Sequence, residues 1–201
     1  MSTMRIIVAC AAAVLVAGCL SGGERASQRY YVLDDAGAPA ARAKAARATT
    51  LLVAPVTTSA FYDTQDIAYS RAAGTRAYYQ FHAWTERPGR AIGDLLVTRL
   101  ERGGSFQAVA KATGGVRGGV LLNTHLSEFY HDAAGEPGSA RVVLAAELVD
   151  PARRVLVARR TFTGSSPAPS YDAPGAVRAF NQALGAVLDE LAAWVDTVAP
   201  R

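Results

Sequence analysis

Three histidines, at positions 82, 125 and 131, are the candidate metal ligands and general bases of this sequence. His125 and His131 lie six residues apart in a segment with strand-like alternation, so we expect both side chains on one face. At ~3.4 Å per residue their separation would be about 20 Å, which is too far for one ion. The spacing therefore predicts no metal site.

Serine, aspartate and glycine motifs that could support hydrolysis or phosphate binding are incomplete. No G-x-S-x-G occurs, and Ser105 and Ser165 lie outside any strand–turn–helix pattern. Asp63 and Asp66 could form a carboxylate pair for glycan cleavage, but no opposing acid follows at a useful separation. The glycine-rich segment 114–119 lacks the lysine of a phosphate loop. We interpret these residues as turn, cap and loop residues, and predict that the protein has no catalytic residues and is not an enzyme.

Cys19 follows a short apolar run whose surroundings indicate a covalent modification. Arg5 and the 13 uncharged residues Ile6 to Gly18 have the size of a secretory signal, whereas a membrane-spanning helix needs about 20. Residues 16–19, Val-Ala-Gly-Cys, resemble the bacterial lipobox, in which the cysteine receives a diacylglycerol, the preceding peptide is removed and the new N-terminus is acylated. We predict a signal peptide over 1–18 and a lipidated Cys19. The alternative is a plain signal peptide with an incidental cysteine.

Lipidation at Cys19 would hold the protein on a membrane outside the cytoplasm, because two or more acyl chains anchor a protein stably to a bilayer. Leu20 stands where an aspartate would resemble an inner-membrane retention signal, so we expect anchoring in the outer membrane, facing the periplasm. The second cysteine, Cys10, leaves with the signal. The mature chain then has no thiol for a disulfide, and we predict no cofactor other than the covalent lipid.

The net charge does not identify a partner. Removal of residues 1–18 takes away Arg5 alone, so the formal charge falls from +4 to +3. This excess suits anionic headgroups or an acidic protein, but the interpretation we favour is a solvated surface with slightly more arginine than glutamate. The compartment excludes nucleic acid.

Hydrophobic periodicity predicts a single domain over 29–198, joined to the lipid by a tether over 19–28. Two β-rich runs, at 29–34 and 50–56, are separated by a loop over 35–48, and the second is apolar enough to be buried on both faces. Two arms, at 65–71 and 76–84, flank Gly74, which can supply the positive φ of a hairpin turn. A short strand follows at 105–110, and from Gly118 onward three segments of period two predict an antiparallel meander.

Two segments have helical periodicity. A leucine-rich stripe lies between Pro88 and Gly103, with Arg99 and Arg102 suited to the negative end of the helix dipole. A longer stripe runs over 174–198, with Asp172 as its N-cap. Burying both stripes together predicts an α+β fold, a two-layer structure in which a mixed, largely antiparallel sheet carries two main helices on one face.

Aromatic residues concentrate on the predicted hairpin. Seven fall within 24 residues, from Phe61 to Trp84, although aromatics make up 8% of the chain. Alternation places Tyr78 and Trp84 on one side of the second arm and Tyr79 and Phe81 on the other. We expect half of the cluster in the core and the rest in an exposed patch of the kind enriched at protein interfaces. The residues predicted to contact a protein partner are Tyr62, Tyr69, Tyr78 and Trp84.

The order of these segments resembles the ABC-type transport auxiliary lipoproteins, the PqiC-like family that accompanies MCE-type phospholipid transporters in Gram-negative envelopes. The most specific stretch is 65–109, where the family shows two aromatic strands, a tryptophan, a proline and a leucine-rich helix that ends in glycine and phenylalanine. One departure is at 86–89, Glu-Arg-Pro-Gly, where the family often has two adjacent prolines. The matching positions are Tyr69, Tyr79, Trp84, Pro88, Leu96, Leu100, Gly104 and Phe106.

The resemblance implies an accessory subunit that assists the movement of lipids between the inner and outer membranes. Its implied partner is the MCE-domain protein of the transporter, and no active site is implied. A ring-shaped partner would be compatible with a homo-oligomer, and the sequence leaves the oligomeric state open. Two other functions also stay open: a lipid-tethered envelope enzyme and a passive lipoprotein that binds peptidoglycan.

Mass spectrometry of protein isolated from native membranes tests the lipidation of Cys19. We expect an N-terminal peptide that begins at Cys19 and carries a diacylglycerol thioether and an N-acyl group. An unmodified thiol, on a polypeptide recovered in the soluble fraction, would contradict the prediction.

Overall fold

The computed structural model describes residues 27–37 and 46–200. The predicted signal peptide, Cys19, most of the tether and most of the 35–48 loop lie outside these residues. The described chain forms two α-helices, α1 (Pro88–Gly103) and α2 (Ala173–Val198), and short 3₁₀ helices at Ala60–Tyr62 and Ala112–Gly114. Its nine strands are β1 (Arg29–Tyr31), β2 (Arg47–Val53), β3 (Thr57–Thr58), β4 (Asp66–Ser70), β5 (Ala77–Trp84), β6 (Phe106–Lys111), β7 (Val120–Asp132), β8 (Ser139–Asp150) and β9 (Val155–Pro167).

One mixed sheet is assembled around β7. The first half of β7 pairs in parallel with β2 and β3, its last residues pair in parallel with β4, and its other side pairs antiparallel with β8 along nearly its whole length. The order is β1–β5–β4–β7–β2–β6, with β8 and β9 extending from β7. The longest ladders, β7–β8 and β8–β9, are antiparallel, as is the β4–β5 hairpin, whereas the short strands pair in parallel. The predicted α+β fold is confirmed.

Both helices cover the same face of the sheet. Ile92, Leu96 and Leu100 of α1 join one buried cluster with the apolar stripe of α2 and the inward residues of β8. Alternate residues of β8, such as Val142 and Leu144, are fully buried, as their period predicts. Because neither α1 nor α2 covers the other face, Leu52 of β2 is only half-buried between Leu51 and Val53. The prediction that this strand is buried on both faces is therefore wrong.

The helix ends follow the sequence closely. Pro88 occupies the first turn of α1, and Asp172 caps α2 by accepting a hydrogen bond from the backbone nitrogen of Gly175 at 2.7 Å. The left-handed residue that ends α1 is Gly104, with φ of 65°, so Gly103 is the last helical residue instead of the first beyond the helix. Strand β2 ends at Val53, before Pro55, which cannot donate to a ladder.

Arg99 has a different role from the one its position near the helix end predicts. Its side chain is 2% exposed and forms ion pairs with Asp35, which follows β1, and with Asp189 of α2. Arg99 lies on the inward stripe of α1, so its guanidinium enters the protein instead of facing solvent. The chain after β1 also approaches α2 closely, because a Cβ on Gly185 would overlap the backbone nitrogen of Gly37. Residues 35–37, which follow β1, are thus fixed to both helices.

Replacement of Arg99 tests this connection. We expect Arg99→Ala to lower the free energy of unfolding by about 3–5 kcal/mol, because it leaves the buried Asp35 carboxylate without its cation. The matched control is Arg102→Ala, which removes an exposed arginine one turn away and should cost less than about 1 kcal/mol. Urea denaturation of both variants provides the comparison. Equal losses would contradict the role assigned to Arg99.

Candidate functional site

The β4–β5 hairpin carries the predicted aromatic cluster, and a bulge decides which of its rings are exposed. The turn contains Gly74 with φ of 74°, as predicted. Asp66 pairs with Ala83 but Ala68 pairs with Tyr78, so β5 has additional residues between these points. Within the bulge Phe81 has φ of 62°, a left-handed conformation that costs a non-glycine residue about 1–2 kcal/mol. Strict alternation therefore fails along β5.

The bulge separates two residues that alternation places together. Trp84 is 1% exposed and lies in the core, with its ring centroid 5.7 Å from Phe129 and 5.5 Å from Phe180. Tyr78 is 38% exposed. The predicted shared face of Tyr78 and Trp84 is therefore wrong, and Trp84 does not contribute to an exposed patch in this structure.

Tyr62 is also nearly buried, with 8% of its surface exposed, and its hydroxyl accepts a hydrogen bond from Nε of Arg76 at 3.0 Å. The same guanidinium lies 3.6 Å from the ring centroid of Tyr130. Arg76 thus connects the hairpin to Tyr62 and to Tyr130 of β7. Of the four residues predicted to contact a partner, Tyr69 and Tyr78 remain accessible.

Tyr78 forms a fixed aromatic surface with Phe61. The two rings stack at a centroid distance of 4.5 Å and an angle of 11°, and the Tyr78 hydroxyl donates a hydrogen bond to the carbonyl oxygen of Phe61 at 2.7 Å. We call this pair the outer stack. Ring stacking and the hydrogen bond together fix its geometry. It loses little side-chain entropy when a partner binds.

A second group of aromatic residues lines an open cleft of about 880 Å³ at the start of α2. Tyr69 and Tyr79 contact each other with ring centroids 4.7 Å apart, and Tyr79 is 6.3 Å from His82. Tyr171 enters from the segment before α2 and donates a hydrogen bond to the Ala133 carbonyl oxygen at 2.6 Å. The sequence gives no signal for Tyr171, because no periodic pattern connects it with residues a hundred positions earlier.

His131 lies beneath this cleft and is fully buried. Its Nε2 is 3.2 Å from the Pro137 carbonyl oxygen, which can only accept, so Nε2 carries the proton and Nδ1 accepts the hydrogen bond of the Tyr79 hydroxyl at 2.7 Å. Burial lowers the pKa of His131 from 6.5 and raises the pKa of Tyr79 to about 12. Both groups are therefore neutral at physiological pH, and the imidazole has no exposed atom for catalysis.

His125 and His131 do not share a face, contrary to prediction. A bulge in β7 between Leu126 and Glu128 reverses the alternation, so His125 is exposed while His131 points inward. The Nδ1 and Nε2 atoms of His125 lie 2.9 Å from Thr57 Oγ1 and 3.3 Å from Ser59 Oγ. The group that orients this imidazole is a hydroxyl, which lacks the charge that stabilises an imidazolium in a serine–histidine–aspartate triad.

The acidic residues considered for catalysis have structural partners. Asp63 pairs with Arg87 at 3.3 Å, and Asp66 accepts a hydrogen bond from Thr64 at 2.8 Å. Over residues 27–37 and 46–200 there is no group of three or more histidine, cysteine, aspartate or glutamate side chains that could hold a metal ion. In the same ranges, no helix combines the length and hydropathy needed to cross a bilayer.

A second concavity, of about 480 Å³, lies between the loop after β2 and the start of α1. Its floor is apolar, formed by residues such as Pro55, Val56 and Val97. The charges at its rim are paired, Asp63 with Arg87 and Asp94 with Lys111. It therefore offers an apolar surface without a polar feature that would select a ligand.

Tyr78 and Tyr171 are accessible aromatic residues of this two-layer α+β domain whose hydroxyls donate structural hydrogen bonds. The chain belongs to the ABC-type transport auxiliary lipoprotein component family, whose model matches residues 31–192. The resemblance of the hairpin and α1 to this family is thereby confirmed.

Solved structures share the fold. Protein XCC0632 from Xanthomonas campestris is similar over 85% of this chain and 95% of its own, with 27% identity and a TM-score of 0.77. An uncharacterised protein matches over 84% of this chain and 99% of its own, with 13% identity and a TM-score of 0.64. No curated protein matches the chain significantly.

The buried imidazole predicts a dependence of stability on pH. Because the pKa of His131 is lowered by folding from 6.5, the unfolded chain binds this proton more readily, and the free energy of unfolding should decrease as the pH falls from 6.5 toward the folded pKa. His131→Gln retains a donor and an acceptor and should remove this contribution. Urea denaturation between neutral and mildly acidic pH measures it. His125→Gln is the control, and an identical effect of both substitutions would contradict the assignment.

Proposed function

We propose that the protein is an outer-membrane lipoprotein, anchored through Cys19 and facing the periplasm, that serves as the auxiliary subunit of an MCE-type ABC transporter of phospholipids between the inner and outer membranes. The observation that carries the proposal is a sequence at 16–19 that resembles a lipobox, followed after a short tether by a domain that matches the transport auxiliary lipoprotein family over 31–192. A lipid at Cys19 leaves the folded domain outside the bilayer, where it can contact a transporter component.

The hairpin supplies the contact surface in this proposal. Tyr78 and Phe61 present a flat, fixed apolar area with a polar edge, and Tyr69 lines the neighbouring cleft. Tyrosine is enriched among residues that dominate binding energy, because its ring buries a large area for two rotatable angles. We therefore expect the MCE-domain protein to bind the outer stack and the mouth of the cleft.

The titratable groups favour a binding role over an enzymatic one. His131 is buried and neutral, His125 is oriented by Thr57 and Ser59, and Asp63 is paired with Arg87. In the cleft, His82 lies with Asp66 and Asp172, and its Nδ1 is 3.0 Å from the hydroxyl of Tyr31, so a hydroxyl orients this imidazole as it does that of His125.

Co-purification with the MCE-domain protein, in native membranes solubilised with mild detergent, tests the proposed partner. We expect the wild-type lipoprotein to retain it and Tyr78→Ser to reduce its recovery about tenfold or more, since a hot-spot side chain contributes at least ~1.4 kcal/mol. Leu156→Ser changes a residue of similar exposure at the far end of the sheet and is the matched control.

Two results would count against this proposal. A correctly lipidated wild-type protein that never associates with an MCE-domain protein would exclude the partner. Full retention by Tyr78→Ser, combined with loss in Leu156→Ser, would move the contact away from the hairpin.

A further inference from the structure

Large exposed apolar side chains are concentrated at one corner of the sheet. The described chain exposes nine of them, and six lie on or directly after β1, on β5, or among the residues that stack on β5 or line the cleft beside it. Val32 and Tyr30 are the most exposed of the nine, at 67% and 62%, and Phe81 of β5 is 42% exposed. We call these three residues the β1 edge. The other three of the six are Phe61, Tyr78 and Tyr171.

The β1 edge is where the chain arrives from its N-terminal segment. In the described residues β1 pairs only with β5, with Arg29 opposite His82, so it forms an outer strand of the sheet. Eight peptide steps join Cys19 to Ser27, and at no more than ~3.6 Å each they span at most about 29 Å. A lipid at Cys19 would therefore keep this edge close to the membrane surface.

The opposite end of the sheet lies far from this corner. His82 is near the end of β7, because the Tyr79 ring is 6.3 Å from His82 and 6.2 Å from His131. Leu156 of β9 pairs with Val149 of β8, which pairs with Leu121 at the start of β7. The ten residues from Leu121 to His131 cover about 34 Å at ~3.4 Å per residue.

The composition of the β1 edge suits the boundary between headgroups and acyl chains. Tyrosine is enriched at membrane interfaces because its ring is apolar and its hydroxyl remains hydrated. Exposed Arg29 lies on β1 next to Tyr30, and exposed Arg71 lines the adjacent cleft with Phe81, so both can pair with lipid phosphate, while the carboxylates of Asp66 and Asp172 line the same cleft. Phe81 keeps its ring exposed despite an unfavourable backbone conformation, and a contact with lipid would stabilise that arrangement.

We propose that the β1 edge contacts the bilayer to which Cys19 is anchored, so that the domain rests on the membrane through Tyr30, Val32 and Phe81 with the β8–β9 turn directed away. This inference rests on the proposed lipid anchor. A lipid chain and an apolar contact together hold a protein on a membrane more firmly than either alone. The outer stack, beside this edge, then meets its protein partner at the membrane surface.

Site-specific labelling tests the contact directly. Once the signal is removed, Cys19 is the one cysteine of the mature chain, and its sulfur would be in the thioether, so an introduced cysteine is labelled uniquely. Val32→Cys and Tyr30→Cys report on the edge, and Leu156→Cys is the control at the far end. Each purified, lipidated protein carries a fluorophore and is reconstituted into vesicles of phosphatidylethanolamine and phosphatidylglycerol that contain lipids spin-labelled near the headgroup.

We expect quenching by the spin-labelled lipids to be several-fold stronger at positions 32 and 30 than at 156. Equal, weak quenching at all three positions in protein whose lipidation is verified by mass spectrometry would overturn the contact while leaving the anchor intact. An unlipidated Cys19 would instead overturn the proposed anchor. Protection of position 32 from a water-soluble thiol reagent in cells, without quenching in vesicles, would assign the edge to a protein and overturn the membrane contact.

Discussion

A single bulge in β7, between Leu126 and Glu128, is the constraint on which both the core and the aromatic cleft depend. Before it, even-numbered residues face the helices; after it, Phe129 and His131 do so. The reversal brings Phe129 against Phe180, with ring centroids 4.4 Å apart, and places His131 beneath Tyr79. If the same sequence formed a regular strand without the bulge, Glu128 would face the core, where an unpaired charge is strongly destabilising. One backbone irregularity thus determines both the packing of α2 and the floor of the cleft.

The bulge in β5 acts on the other side of the same cleft. It allows Trp84 to enter the core while Tyr78 and Tyr79, six and five residues before it, line the surface. In a regular strand, odd- and even-numbered aromatic residues would face opposite sides of the sheet. In β5 the aromatic residues near the turn lie at the surface, and Trp84 at the far end of the strand lies in the core. Trp84 joins the core contacts that hold α2, and the hairpin tip carries the rings available to a partner. The stable and the accessible parts of the hairpin are therefore segregated along its length.

These irregularities also explain what could be predicted from the sequence. Regular elements follow from periodicity: α1, α2, the alternation of β8 and the Asp172 cap all appear where the pattern indicates. The errors at His131 and Trp84 occur where the period is interrupted, since a one-residue insertion in a strand leaves no mark in local composition. Arg99 shows a different limit. The sequence places this arginine on an apolar stripe, but its partner Asp35 becomes apparent only in the tertiary structure.

The buried Arg99 links the N-terminal segment to the orientation of the whole domain. A flexible tether alone would let the domain rotate freely about its anchor. Here the chain after β1 is fixed to α1 and α2 through Arg99 and through the close approach of Gly37 to Gly185, so β1 cannot move independently of the helices. A contact of Tyr30 and Val32 with a bilayer would then orient the entire sheet. Under that arrangement the hairpin surface is positioned by the same segment that anchors the chain, and a membrane-bound partner would meet it in one orientation.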